Sequence, residues 1–326
     1  MGAIMYKKPN VDVSRHDKLV QDAVFYEYST AANPLEEGFI PEVPIVKFPH
    51  GLHEEGPTRV IPLDVSERLK CPYPATSPII LAHFIRILSG ENIKTSPNAT
   101  SEVYYVIRGN GHTTVGETTI PWNTGDFFSL PACSAANHCA DSDTAFYWVT
   151  DEPLLNYLGV KATVPKFEPT LYLEELAFSK LGAVEAAQAR ERKSRVSVLL
   201  GNTAFPQTRT ITHTLWTMFG VLPVNEIQYP HRHQSVAVDF VIECQPGCYT
   251  LIGKELDDKN EIIDPFKADW SPGSVFITPP GYWHSHHNES GVQAHLMPMQ
   301  DAGLYTYLRT LDIKFTHGES YISLKP

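Results

Sequence analysis

The sequence predicts an all-β fold, two tandem barrels joined by a helical connector, and three observations predict it. The 326 residues include 26 prolines and 20 glycines, many of them between short apolar runs, as in a chain that turns often. Apolar segments of strand length recur at close spacing in two blocks, separated by one stretch of helical periodicity. The two blocks also share a pattern. In the first, Glu102-Val-Tyr-Tyr-Val-Ile-Arg-Gly leads to Gly125-x5-Pro131; in the second, Ala237-Val-Asp-Phe-Val-Ile-Glu-Cys leads to Gly273-x5-Pro279. A tandem duplication leaves such a repeat.

Composition narrows the class. Hydrophobic residues make up 42% and charged residues 19%, enough to bury a sizeable core and too apolar for a disordered chain. The formal net charge of −11 argues against a nucleic-acid partner, which would be gripped through its phosphates. No apolar run approaches the length of a membrane span.

Taken in order, residues 1–75 read as an irregular, proline-rich extension with a short helix near 14–23. Its start lacks an apolar stretch before a small-residue cleavage site, and Tyr6 stands where myristoylation wants Ser or Thr. Residues 76–165 read as the first barrel. The run 78–88 is apolar, 102–108 is rich in Val and Tyr, and Gly109-Asn110-Gly111 marks a turn before strands at 113–115, 118–120, 126–130 and 145–150. Residues 166–200 form the linker. Within 171–195, Leu173, Leu176, Ala177, Leu181, Val184 and Ala187 recur at helical spacing without a proline. Residues 201–326 form the second barrel, with strand-like text at 210–221, 236–243, 248–252, 274–278 and 292–297. The acidic segment 254–269 exceeds what a hairpin needs and reads as a rim loop or lid. Tyr305 and Tyr307 follow the last strand and are expected to cover an edge. The five cysteines, Cys71, Cys133, Cys139, Cys244 and Cys248, are odd in number and lack zinc-like spacing. They read as reduced thiols, which points to a cytoplasmic location.

The second block carries the chemistry. It contains Tyr229-Pro-His231-Arg-His233 and then Gly273-Ser-Val-Phe-Ile-Thr-Pro279-Pro-Gly281-Tyr-Trp-His284-Ser-His286-His287-Asn288. Two histidines at i and i+2 share one face of a strand. A third, after a Pro-x-Gly turn on a later strand, closes a facial set. Three neutral imidazoles suit iron, copper, nickel or zinc and leave the opposite positions for substrate or oxygen.

These residues resemble the cupin superfamily, whose second motif is G-x5-P-x-G-x2-H-x3-N. Gly273, Pro279, Gly281, His284 and Asn288 match every fixed position, and His231 and His233 supply the His-x-His that opens the first motif. The family's later acidic ligand is absent, because Ala237 stands there. The resemblance implies two jelly-roll barrels, a bicupin, with a metal held by His231, His233 and His284. In the first barrel, aligning Glu102 with the acidic ligand puts Ser96 and Asn98 at the histidine pair. Pro131-Ala-Cys133 replaces Pro-x-Gly, and Ala136 replaces the last histidine, with His138 two residues further on. That barrel is expected to hold no metal.

A finer likeness joins the run His231-Arg-His-Gln-Ser-Val-Ala-Val-Asp-Phe-Val-Ile, and the segment 149–159, to gentisate 1,2-dioxygenases and the related salicylate and hydroxynaphthoate enzymes. The resemblance implies a ferrous ion and oxygen-dependent cleavage of a hydroxylated aromatic ring, with a small molecule and dioxygen as partners, in a homo-oligomer. Asp239 departs from the pattern: in that family an arginine suited to a substrate carboxylate stands there. An aspartate favours an amine, a hydroxyl or a cation, or else pairs with Arg209 or Arg232. Arg209, Gln234, Asp239 and Trp283 are the candidate substrate contacts, with Ser235 and Tyr282 beside them. His286, sharing the parity of His284, and Asp239 are the candidate acid–base groups, whereas His287 is expected to face outward. Two other readings stand beside this one. The scaffold would serve a non-redox isomerase, lyase or hydrolase using zinc, nickel or manganese, or a small-molecule binding protein without turnover.

Overall fold

The computed structural model describes residues 17–188 and 196–316. They fall into two units, one ending at Pro41 and one starting at Glu42. In the first, short helices span Asp17–Val20 and Tyr28–Ala31, the second capped by the Glu27 carboxylate, which accepts from the backbone N–H of Ser29 and Thr30. Of the helix expected near 14–23, the described part is this single turn; residues 14–16 lie outside the described residues. No described helix is long and apolar enough to cross a membrane.

The second unit holds the two barrels, each made of a large and a small antiparallel sheet. In the first barrel the large sheet runs Thr170–Tyr172, Phe127–Pro131, Ser101–Arg108, Thr144–Thr150, Leu81–Ile87, Arg59–Pro62. The small one runs Asn92–Thr95, Ala136–Ala140, Asn110–Val115, Thr118–Asn123. In the second barrel the large sheet runs Lys47–Phe48, Val275–Thr278, Ala237–Glu243, Ala294–Gln300, Trp216–Leu222, Val196–Leu199. The small one runs Phe266–Asp269, Cys248–Gly253, Trp283–Asn288, Ile227–His233, Ile313–Phe315. With the borrowed edge strands set aside, the order is the same in both, as expected of a duplication.

The edges correct the sequence reading in three places. Lys47–Phe48 and Arg59–Pro62, placed in an irregular extension, are strands that close the second and first barrels respectively. Residues 170–172, overlapping the expected start of the helical stretch, add a strand beside Phe127–Pro131, so the helix begins at Glu174 and runs to Gln188. Residues 189–195 of that expectation lie outside the described residues. Val196–Leu199 pairs with Trp216–Leu222 and therefore belongs to the second barrel rather than the linker. Such short strands carry too few residues to show a period.

The largest core lies between the barrels, where their six-stranded sheets meet. Val103, Tyr105, Phe127 and Tyr147 of one pack with Phe219, Val238, Phe240, Val275 and Met297 of the other. Tyr147 stacks on Phe240 at 5.1 Å between ring centroids and donates its hydroxyl to the Val238 carbonyl at 3.1 Å. In each barrel the strand Thr144–Thr150 or Ala294–Gln300 leads into a helix, Glu152–Leu158 or Ala302–Leu308, preceded by a buried aspartate. Asp151 accepts from the backbone N–H of Thr100 and Ser101, and Asp301 accepts from that of Val236. Burial pushes the Asp301 carboxyl up to about 8. All five cysteines are free thiols.

Candidate metal centre

Four histidines gather inside the second barrel. His231 and His233 come from the strand Ile227–His233, and His284 and His286 from Trp283–Asn288, which pairs with it so that His231 faces His284. All four are buried. Ring centroids lie 4.1 Å apart for His231 and His284, 4.9 Å for His233 and His284, and 5.6 Å for His284 and His286. As the side chains stand, His231, His284 and His286 have ligand atoms within 4.8 Å of one another, and His233 flanks His284. Burial, and then the other three rings, hold His284 well below the usual histidine range, so it is neutral and carries a lone pair.

Hydrogen bonds sort the four into two kinds. Nδ1 of His231 faces the Tyr229 carbonyl at 3.0 Å, that of His284 the Tyr282 carbonyl at 3.1 Å, and that of His233 the Ser235 carbonyl at 2.8 Å. A carbonyl only accepts, so each Nδ1 carries a proton, and a neutral ring held this way keeps at Nε2 the lone pair that a metal needs. Ser235 reinforces the third. Its hydroxyl donates to Gln300 Oε1 at 2.9 Å and so accepts from His233 Nδ1 at 3.0 Å. His286 differs, because its Nδ1 faces a hydroxyl, Thr250 Oγ1, at 2.8 Å.

The motif residues hold this arrangement. Gly281, at φ +77°, turns the chain through a conformation that side chains disfavour, and its N–H donates to the His233 carbonyl at 2.7 Å. That bond ties the Pro-x-Gly turn to the first histidine strand. The Asn288 amide donates to the carbonyls of Leu222, Pro223 and Val292, fixing the far end of the second strand. Phe315, on a C-terminal strand the sequence did not reveal, stacks on His231 at 5.4 Å.

Asp239 faces the barrel interior, as its parity predicts. Its neighbours Val238 and Phe240 lie in the inter-barrel core, while Val241 and Phe276 line the barrel. It is buried and accepts from Thr278 Oγ1 at 2.8 Å. The other three expected substrate contacts stand elsewhere. Arg209 is exposed, on a turn with φ 56°. Gln234 has outward parity, and its Oε1 accepts from the Asp312 N–H at 2.6 Å. Trp283 also has outward parity and lies under the Arg232 guanidinium at 5.0 Å. His287 is half-buried and stacks on Tyr249 at 4.6 Å. The sequence reading missed Gln228, buried and paired in register with His286, as well as Thr250 and Trp270.

Among the described residues, the first barrel shows no such cluster. Register places Thr95, not Ser96, opposite Ala136, as His231 stands opposite His284. Its interior is filled by a stack in which Tyr104 lies 4.5 Å from Phe128 and 5.5 Å from Trp148. Glu102 Oε2 accepts from the Tyr104 hydroxyl at 2.7 Å and Trp148 Nε1 at 3.2 Å, and burial pushes its carboxyl up to about 8. Burial also pushes His138 down to about 3.

No family model matches the chain. Among curated proteins, it is 40% identical over 62 residues to 5-aminosalicylate 1,2-dioxygenase of a Comamonas species, covering 19% of this chain and 17% of that one. It is 28% identical over 142 residues to gentisate 1,2 dioxygenase 1 of Aquipseudomonas alcaligenes, covering 42% and 37%. The matched segments thus span less than half of either relative. The solved salicylate 1,2-dioxygenase of Pseudaminobacter salicylatoxidans superposes with a TM-score of 0.72 at 14% identity, over 95% of this chain and 99% of that one. The same enzyme in adduct with gentisate gives 0.71 at 13% identity, over 97% of each. The chain has the bicupin fold of those dioxygenases. The chain is thus similar to these dioxygenases in two stretches of its sequence and in its fold.

Proposed function

We propose that the protein is a mononuclear non-haem iron(II) dioxygenase that opens the ring of a small hydroxylated aromatic compound. The observation that carries this reading is the shared tautomer of three imidazoles. His231, His233 and His284 each give Nδ1–H to a main-chain carbonyl and keep the Nε2 lone pair, the donor set of a metal with open positions. On this ground we assign the ligands as His231, His233 and His284, and His286 as a group that meets the substrate. A ferrous ion held there would bring the ring and dioxygen together and carry electrons between them.

The residues of the chain supply the rest. Aromatic and aliphatic side chains, Trp270, Phe276, Leu222, Ile252 and Leu296, keep the barrel interior apolar, so a planar ring is held and water kept out. Asp239 offers acceptors from the facing sheet. Among the described residues of the second barrel no Lys or Arg is buried, so a substrate carboxylate would find no cation inside. The substrate we infer is a phenolic ring whose further substituent is an amine or hydroxyl. In this reading the protein works in the cytoplasm as a homo-oligomer.

The test is oxygen uptake by anaerobically purified protein with a panel of phenols, aminophenols and hydroxybenzoates. Consumption with the first two groups and little with the hydroxybenzoates is expected. A zinc, nickel or manganese protein that consumes no oxygen would move it to Lewis-acid chemistry.

A further inference from the structure

The two barrels share a three-residue device that outlasts the metal ligands. In the second, Trp270 Nε1–H donates to Thr250 Oγ1 at 2.8 Å, and Thr250 Oγ1 meets His286 Nδ1 at 2.8 Å. In the first, Trp122 Nε1–H donates to Thr113 Oγ1 at 3.0 Å, and Thr113 Oγ1 meets His138 Nδ1 at 2.8 Å. The residues correspond by register, since Thr113 pairs with His138 as Thr250 pairs with His286.

In the first barrel the protons can be traced from a fixed end. Glu102 Oε2 accepts from Trp148 Nε1–H and, as the bare oxygen of a carboxyl whose own proton then sits on Oε1, from the Tyr104 hydroxyl. The Tyr104 oxygen then accepts from the Thr95 hydroxyl, at 3.1 Å. With that proton spent, Thr95 Oγ1 accepts at 3.0 Å from His138 Nε2–H. Buried and neutral, His138 therefore has a bare Nδ1, which accepts from the Thr113 hydroxyl, whose own oxygen accepts from Trp122. Each hydroxyl has one proton, and each is accounted for. In the first barrel, then, the Trp–Thr pair stands beside a histidine that carries its proton on Nε2.

We propose that Thr250, oriented by Trp270, is a positioning residue that faces Nδ1 of His286 and keeps the ring's proton on Nε2. His286 then donates a hydrogen bond to the substrate rather than ligating the metal. Carbonyls at Nδ1 make ligands of three histidines; a hydroxyl at Nδ1 makes a donor of the fourth. The proposal rests on the metal-site reading for its consequence, but the tautomer is readable without metal.

The experiment is side-chain 15N–1H correlation spectroscopy on the full chain with 15N-labelled histidine, metal-free and loaded with zinc. His286 should show Nε2–H and a bare Nδ1 in both states, matching His138, while three other histidines show Nδ1–H and shift at Nε2 on zinc addition. Thr250→Val should lose the Nε2–H signal of His286 and keep one zinc per chain; Thr250→Ser should restore the signal. A His286 with Nδ1–H, or with Nε2 shifted by zinc, overturns the proposal, as does a Thr250→Val spectrum identical to wild type. Should Thr250→Val fail to fold, the wild-type and Thr250→Ser spectra decide alone. Failure of any histidine to respond to zinc would sink the metal reading and leave the tautomer result standing.

Discussion

The two barrels have one strand order, one closing aspartate and one Trp–Thr–His device, yet their interiors are opposite in kind. In the first, Thr95 and Ala136 occupy the register positions of His231 and His284, and Tyr104, Phe128 and Trp148 stack through the space. In the second, four buried imidazoles and Asp239 stand where such packing would otherwise go. Stacked aromatics stabilise by burial and ring contact, whereas buried polar groups are costly unless they are bonded. The comparison teaches that the fold is indifferent to the content of its barrels. One copy has become core and scaffold, and the other keeps a site whose polar atoms are tied to main-chain carbonyls.

The sharpest way to break the contrast is His284→Ala. Metal content should fall to background, whereas His286→Ala should keep about one metal per chain and lose turnover. His233→Ala should follow His284→Ala, and a loss of metal in His286→Ala with retention in His233→Ala would reverse the ligand assignment. Next in size, Phe128→Ala should destabilise the protein by about 3–5 kcal/mol in denaturant unfolding, with the metal content of the folded protein unchanged. Ser235→Ala removes the hydroxyl shared between Gln300 and His233. Metal affinity should weaken by about 10–100-fold, read by chelator competition.

The smallest effect is expected from Glu102→Gln. Burial raises this carboxyl from the ordinary range to about 8, so the folded chain holds a proton that the unfolded chain releases at lower pH. Stability is full below the unfolded value and declines as pH rises toward about 8, because the unfolded state then binds fewer protons. The amide removes that slope, and thermal unfolding across this window should fall less steeply in the variant. An unchanged slope would show that Glu102 ionises freely.

Much of this was legible in the sequence, for physical reasons. Turn residues and short apolar runs between them exposed the strands, and Gly-x5-Pro exposed the repeat. The i, i+2 spacing put His231 and His233 on one face. The same alternation turns Gln234 and Trp283, read from the sequence as substrate contacts, away from the ligands they neighbour along the chain. Thr250, Trp270 and Gln228 were not legible, because only strand pairing brings them beside His286. Lys47–Phe48 and Ile313–Phe315 were invisible for the same reason, as each is a short strand recruited from a distance. The charge of Arg209 suggests a substrate contact, and nothing in the neighbouring sequence shows that a left-handed turn holds it at the surface.

The central claim is that the second barrel holds one metal and the first holds none. Elemental analysis of anaerobically purified wild type and of His284→Ala tests it most directly. The account predicts about one iron per chain in the wild type and none in the variant. Two metals per chain, or full occupancy in His284→Ala, would contradict it.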